Sequence, residues 1–137
     1  LDELPHLANR ICKDLIQHKD YCVWLEGPLG AGKTTLTREI LRSHGLSEKE
    51  QVPSPTFTYL IEYKIRDNWY AHMDLYRITS KTKEPLHLLE SRQYKGCFIE
   101  WPQNSPDFEE IFPTHKVELK SLSDTTRQLT LYYCKNS

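Results

Sequence analysis

At 137 residues, 38% hydrophobic and 27% charged, the chain has the length and composition of one ordinary globular domain able to bury a core. A formal net charge of −1 argues against holding nucleic acid by bulk electrostatics and leaves room only for a local basic patch. No apolar run approaches the roughly 20 residues of a membrane span. The acidic start Leu1-Asp2-Glu3-Leu4-Pro5 lacks a signal-peptide pattern, so a cytoplasmic protein that does not touch a membrane is expected.

From Asp2 to about Lys19, Leu4, Leu7, Ile11 and Leu15 recur at three- and four-residue steps. This predicts an amphipathic helix, with Asp2 available as a cap and Pro5 tolerable in the first turn. Tyr21 to Leu25 is a short, β-favouring apolar run that reads as a buried strand. Thr35 to His44 reads as a second helix, with Leu36, Ile40 and Leu41 on one face and Gly45 placed to stop it. The prolines flanking Ser54 keep Val52 to Phe57 out of a helix and predict a stiff loop. Thr58 to Lys64 and Trp69 to Met73 are predicted strands of a hairpin turned at Arg66-Asp67-Asn68.

Further on, Lys81 to Tyr94 carries a weak helical pattern, and Cys97-Phe98-Ile99 is a short strand closed by Pro102. Asn104 to Thr114, with Pro106 and Pro113, reads as a loop. Two late strands, Lys116 to Lys120 and Gln128 to Tyr133, follow around a Ser121 to Thr126 connection. The four cysteines are widely spaced without a C-x-x-C pair, which favours buried thiols over a zinc or redox motif.

Between the first strand and the second helix stands Gly27-Pro28-Leu29-Gly30-Ala31-Gly32-Lys33-Thr34, followed by Thr35. This is the spelling of a phosphate-binding loop: glycines let the backbone turn its N–H groups onto phosphate without side chains in the way. Lys33 is the group that reaches the terminal phosphates, Thr34 the hydroxyl for Mg²⁺, and the helix adds its positive end. Gly27, Leu29, Gly30, Ala31, Gly32, Lys33, Thr34 and Thr35 are therefore the candidate nucleotide contacts.

Mg²⁺ is a hard cation and needs oxygen ligands. Glu100 ends its strand as the acid of a Walker B element does, and is a candidate for ordering the Mg²⁺ shell or the attacking water. Its bland alternative is a solvated strand-end acid. Asp74 ends the preceding strand in the same manner, although Asp74-Leu75-Tyr76-Arg77 also fits a salt-bridged turn, and Arg77 fits either Asp74 or a phosphate. Thr56 sits where P-loop switches place a threonine that senses Mg²⁺ and the last phosphate, or is a turn hydroxyl. Ser54 is a weaker candidate of the same kind. Trp101 is a candidate to stack on a base or a partner, against the plain reading of a core aromatic. His72 and Asp74 share a strand face, but two ligands without a third do not make a metal site. The Asn-Lys-x-Asp sequence that reads guanine in many GTPases is absent, which makes ATP the expected nucleotide.

Taken together, Gly27 to Thr35, Ser54-Pro55-Thr56-Phe57, Glu62-Tyr63, His72 to Arg77 and Glu100-Trp101-Pro102 resemble the bacterial TsaE family in type and order. The phosphate loop alone is widely shared, whereas its combination with Ser-Pro-Thr-Phe, Asp-Leu-Tyr-Arg and Glu-Trp-Pro is specific. The segment Thr79 to Gln93 is less familiar and the C-terminal tail is short. The resemblance implies an α/β P-loop NTPase fold: one three-layer domain over residues 1–137, with a mostly parallel central sheet, an antiparallel hairpin and late strands.

It also implies a Mg²⁺-dependent ATPase of tRNA threonylcarbamoyladenosine biosynthesis. Such a protein works with the threonylcarbamoyl transferase and that enzyme's inactive paralogue, meeting tRNA through the complex. Carried over by motif, Lys33, Thr56, Asp74 and Glu100 serve hydrolysis, Thr34, Asp74 and Glu100 serve the metal, and Trp101 lies near the nucleotide. Because no free catalytic arginine is spelled out except Arg77, hydrolysis is expected to be weak alone and faster in the complex. A small-molecule kinase and an ATP-gated binding module are the alternatives.

Overall fold

The computed structural model describes residues 4–55, 58–78, 87, 89, 90, 92–104, 113–124 and 127–134. Its elements are α1 (Leu4–Leu15), β1 (Tyr21–Glu26), α2 (Lys33–Ser43), β2 (Leu60–Ile65), β3 (Asn68–Asp74), β4 (Gly96–Glu100), a 3₁₀ turn (Pro102–Asn104), β5 (His115–Ser121) and β6 (Arg127–Tyr133). The six strands form one sheet in the order β2-β3-β4-β1-β5-β6. The inner four run parallel, and antiparallel hairpin partners close both edges. The mostly parallel sheet, the hairpin and the late strands are those expected from the sequence.

Strand periodicity assigns the two faces. Val23, Leu25, Phe98 and Val117 are fully buried beneath α1 and α2, together with Ile11, Leu15, Leu36, Ile40 and Leu41. The opposite face carries Met73, Leu75, Ile78 and Ile99, with Cys22, Trp24, Leu89, Cys97 and Trp101 packed around them. Most of the predicted Lys81 to Tyr94 helix lies outside the described residues. All four thiols are free, and burial pushes Cys97 up to about 12 and Cys22 well above the usual thiol range.

Two helix bounds differ from the sequence reading. The first helix stops at Leu15 instead of near Lys19, because Leu15 is the last residue of its apolar stripe and Ile16 is exposed. Gln17 and His18 then bond back three residues, to Asp14 and Leu15, as a fraying end does. The second helix begins at Lys33 instead of Thr35, so Lys33 and Thr34 occupy its first turn. It ends as expected: Gly45 takes φ +117°, its N–H bonds Arg42, and the Leu46 N–H bonds Leu41 in a Schellman closure.

A small aromatic cluster joins α1, α2 and the sheet. Tyr21 Oη lies 2.6 Å from His44 Nε2, Cys12 Sγ lies 3.3 Å from His44 Nδ1, and the Tyr70 ring stacks on His44 at 5.1 Å. Burial, aided by Lys95, lowers the His44 pKa to about 4. The folded value lies below the unfolded one of about 6.5, so the stabilisation is complete above pH 6.5 and is lost progressively as pH falls from there to about 4. Chemical denaturation at pH 7 and 4.5 is expected to differ by about 2 kcal/mol on this account, and His44→Asn is expected to flatten that slope.

Gly96 begins β4 against the same cluster. A Cβ there would stand 2.3 Å from the Tyr21 ring carbon. Gly96→Ala is expected to cost about 1–3 kcal/mol through overpacking, read as a lower thermal midpoint.

Candidate functional site

The carboxyl ends of β1, β3 and β4 open onto one cleft of about 480 Å³, the position where open α/β sheets bind ligands. Leu29, Gly30, Ala31, Gly32, Lys33, Thr34 and Thr35 form one wall, and Asp74, Glu100 and Trp101 form the other. Gly27 stands at the loop's base, where a Cβ would meet the Leu119 carbonyl oxygen at 2.7 Å, so only glycine fits. Gly32 holds φ +103°, in the left-handed region, and no side chain caps the helix there. The first N–H groups of α2 therefore face the cleft without the usual cap.

The charged groups converge on this wall. Lys33 is buried, and its ammonium donates to the Gly27 carbonyl and, at 3.3 Å, to that of Pro28. It lies 4.1 Å from the centre of the Trp101 ring. Burial lowers the Lys33 pKa, while Glu100 and Asp74 act in the opposite direction. Asp74 and Glu100 are direct partners in the β3–β4 register, so the two carboxylates come side by side from adjacent strand ends.

Each acid is held by hydrogen bonds. Asp74 Oδ2 accepts from the Ser54 hydroxyl at 2.8 Å, and Oδ1 accepts from the Tyr76 N–H at 2.9 Å. Glu100 Oε2 accepts from the Thr34 hydroxyl at 2.9 Å and lies 2.6 Å from His72 Nε2. His72 is fully buried and its Nδ1 has no partner, so the arrangement with Nε2–H donating to Glu100 leaves only a lone pair unsatisfied. The Leu75 N–H bonds the Glu100 carbonyl, and the Asn104 amide bonds the carbonyls of Leu75 and Tyr76, tying the two strand ends together.

Trp101 turns the chain out of β4 with φ +57°, a left-handed backbone that costs a non-glycine residue about 1–3 kcal/mol. Its ring stands 5.0 Å from Tyr76. Arg77 lines the same cleft. Thr56 lies outside the described residues.

Three features were missed or underweighted in the sequence. Ser54 is the partner of Asp74. His72 is the partner of Glu100, and its only sequence signal was its two-residue spacing from Asp74. Tyr76 joins the cleft beside Trp101, carried there by the turn that follows β3. The donor set fits a nucleotide with its metal: a buried ammonium and helix-start N–H groups suit phosphate, and a hydroxyl with two carboxylates suits Mg²⁺.

The chain is similar to known proteins in sequence and in fold. The family model "Threonylcarbamoyl adenosine biosynthesis protein TsaE" matches residues 1–129. Similar proteins include the tRNA threonylcarbamoyladenosine biosynthesis proteins TsaE of Haemophilus influenzae and Aquifex aeolicus. The first is 42% identical over 89 residues, covering 62% of this chain and 54% of the relative. The second is 39% identical over 129 residues, covering 92% and 86%. The Bacillus subtilis TsaE is 38% identical over 77% of this chain and 65% of its own length. The chain thus spans about half to two thirds of several curated relatives it matches. The crystal structure of Bacillus subtilis YdiB superposes with a TM-score of 0.63 at 28% identity, over 93% of this chain and 78% of that one. By sequence over nearly its whole length and by its P-loop NTPase-like fold, the chain belongs to the TsaE family.

Proposed function

We propose that residues 1–137 act as one Mg²⁺-dependent ATPase domain in the cytoplasm, serving tRNA N6-threonylcarbamoyladenosine modification. It would work with the threonylcarbamoyl transferase and its inactive paralogue, reach tRNA through that complex, and hydrolyse ATP to sustain repeated turnover. The observation that carries this reading is the meeting of the Lys33 ammonium and Thr34 hydroxyl with the paired carboxylates of Asp74 and Glu100 at the start of α2.

Mg²⁺ would supply positive charge to offset the negative charge that develops on the transferring phosphate. Thr34, Asp74 and Glu100 would hold it. The backbone from Gly27 to Thr35 cradles the phosphates, and Lys33 exchanges its carbonyl partners for the terminal phosphate oxygens. Both described hydrogen bonds to the Glu100 carboxylate fall on Oε2, which leaves Oε1 to orient the attacking water. Ser54 fixes Asp74, and Thr56, two residues along the same loop, is the switch hydroxyl. Trp101 shields the lysine and borders the nucleotide.

The test is Mg²⁺-dependent release of labelled phosphate from ATP, without and then with the transferase and its paralogue. Slow release that the partners raise by roughly 10-fold or more supports the proposal, since a site lacking one stabilising group gains such factors when a partner supplies it. Unchanged release refutes the partner role. Label appearing on a small acceptor instead of as free phosphate favours the kinase reading.

A further inference from the structure

Outside the cleft, the described residues bring together one group of side chains able to hold a metal ion: Asp14 on α1, His18 on the turn after it, and His115 at the start of β5. Their ligand atoms all lie within 4.8 Å of one another. His115 is fully buried, and its Nε2 lies 2.7 Å from Asp14 Oδ2. The His18 and His115 rings meet edge to face at 4.9 Å. In the sequence these two histidines stand far apart. The signal was the four-residue spacing of Asp14 and His18, and nothing local announced His115, which lies about a hundred residues away.

The ring of His115 is oriented from behind. Thr114 Oγ1 lies 2.7 Å from Nδ1, accepts from the Cys22 N–H at 3.0 Å, and donates to the Cys22 carbonyl at 3.1 Å. When Nδ1–H donates to Oγ1, Nε2 is the ring atom left to face the Asp14 carboxylate, which it meets at 2.7 Å either as an N–H donor or, with that proton displaced, as a metal ligand. A hydroxyl that fixes the tautomer of a buried imidazole in this way is what second-shell partners of metal-bound histidines do.

We propose that Asp14, His18 and His115 form a site for a divalent transition metal, with Zn²⁺ the best match. Two imidazoles and one carboxylate select Zn²⁺ over Mg²⁺ or Ca²⁺, and three protein ligands leave a fourth, tetrahedral position for water. Bonds of about 2.0–2.2 Å place tetrahedral ligand atoms roughly 3.4 Å apart. Asp14 and His115 part slightly to reach this, and His18 swings inward about its side-chain torsions. The backbone beneath His18 is anchored by the Lys95 ammonium, which bonds the carbonyls of His18 and Lys19. His115 pairs with Val23 near the start of β1, so the metal sits at the strand ends opposite the phosphate loop. There it staples the end of α1 to β5 and serves structure.

The experiment titrates Zn²⁺ into the metal-free full chain by calorimetry, with excess Mg²⁺ present to occupy oxygen-ligand sites in the cleft. Thermal midpoints are recorded with Zn²⁺ and with chelator, and Co²⁺ absorption in the visible reports tetrahedral nitrogen and oxygen ligation. The variants are His18→Ala and Asp14→Ala, on the turn and the partly exposed end of α1, because the buried His115 is a poorer choice. One Zn²⁺ per chain, a raised midpoint, and affinity at least about 10-fold weaker in either variant are expected. The variants' ATP hydrolysis is expected to match the parent, and His18→Ala is expected to keep the parent's midpoint in chelator. No Zn²⁺-dependent rise in the midpoint, or variants that bind Zn²⁺ as tightly as the parent, overturns the site.

Discussion

Lys33→Ala is expected to lower Mg²⁺-dependent ATP hydrolysis by about 10²–10³-fold, the cost of losing one preorganised charge aimed at the reacting phosphates. The buried ammonium reaches the cleft from the first turn of α2, where the loop fixes its position, and Trp101 covers it at 4.1 Å. A truncated side chain leaves the loop's N–H groups in place, so weakened nucleotide affinity is expected to accompany the loss of rate. Lys33→Arg is expected not to rescue, because a planar fork does not fit where a compact point charge sits between two carbonyls. Phosphate release at saturating ATP, with a parallel binding titration, measures both effects. Hydrolysis within about threefold of the parent would exclude Lys33 from the phosphate contacts assigned to it.

The second large effect is expected at Glu100. Glu100→Gln keeps the volume and an acceptor oxygen for Thr34 and His72, so the architecture of β4 and the cleft should persist. What disappears is the negative charge that orients and polarises the attacking water, a loss of about 10²–10⁴-fold in kcat. ATP affinity should stay within about threefold, giving a fall in kcat without a matching change in KM. Equal loss of binding and rate would instead make Glu100 act through the bound metal alone and not on the attacking water. His72, buried and locked to the same carboxylate oxygen, supports the geometry from beneath without touching substrate.

The phosphate loop was legible because its chemistry restricts its spelling: backbone donors need glycine, and the charge needs one lysine at one place. Strands β1, β3 and β4 were legible because each is a short, mostly apolar run ending in a polar residue, and the acids that end β3 and β4 stand on the far wall of the cleft. The pairing of His72 with Glu100 was not, since it depends on the β3–β4 register across 28 residues, which no local pattern encodes. Ser54 was visible as a hydroxyl between prolines, but its partner Asp74 stands 20 residues away. The end of α1 was overextended because polar residues after Leu15 remain compatible with a helix, while only tertiary packing shows where the stripe stops paying for it. The site is therefore read from sequence by its donors and acids, and from structure by the partners that aim them.

The charged and hydroxyl groups of the cleft already engage one another. Lys33 holds the carbonyls of Gly27 and Pro28, Thr34 holds Glu100, and Ser54 holds Asp74. Nucleotide capture is then a trade of partners, in which internal bonds are surrendered as phosphate and metal bonds form. On the proposed function that exchange would cancel part of the binding heat, and the same internal bonds would be there to reform when product leaves. The loop is held in register by its own lysine.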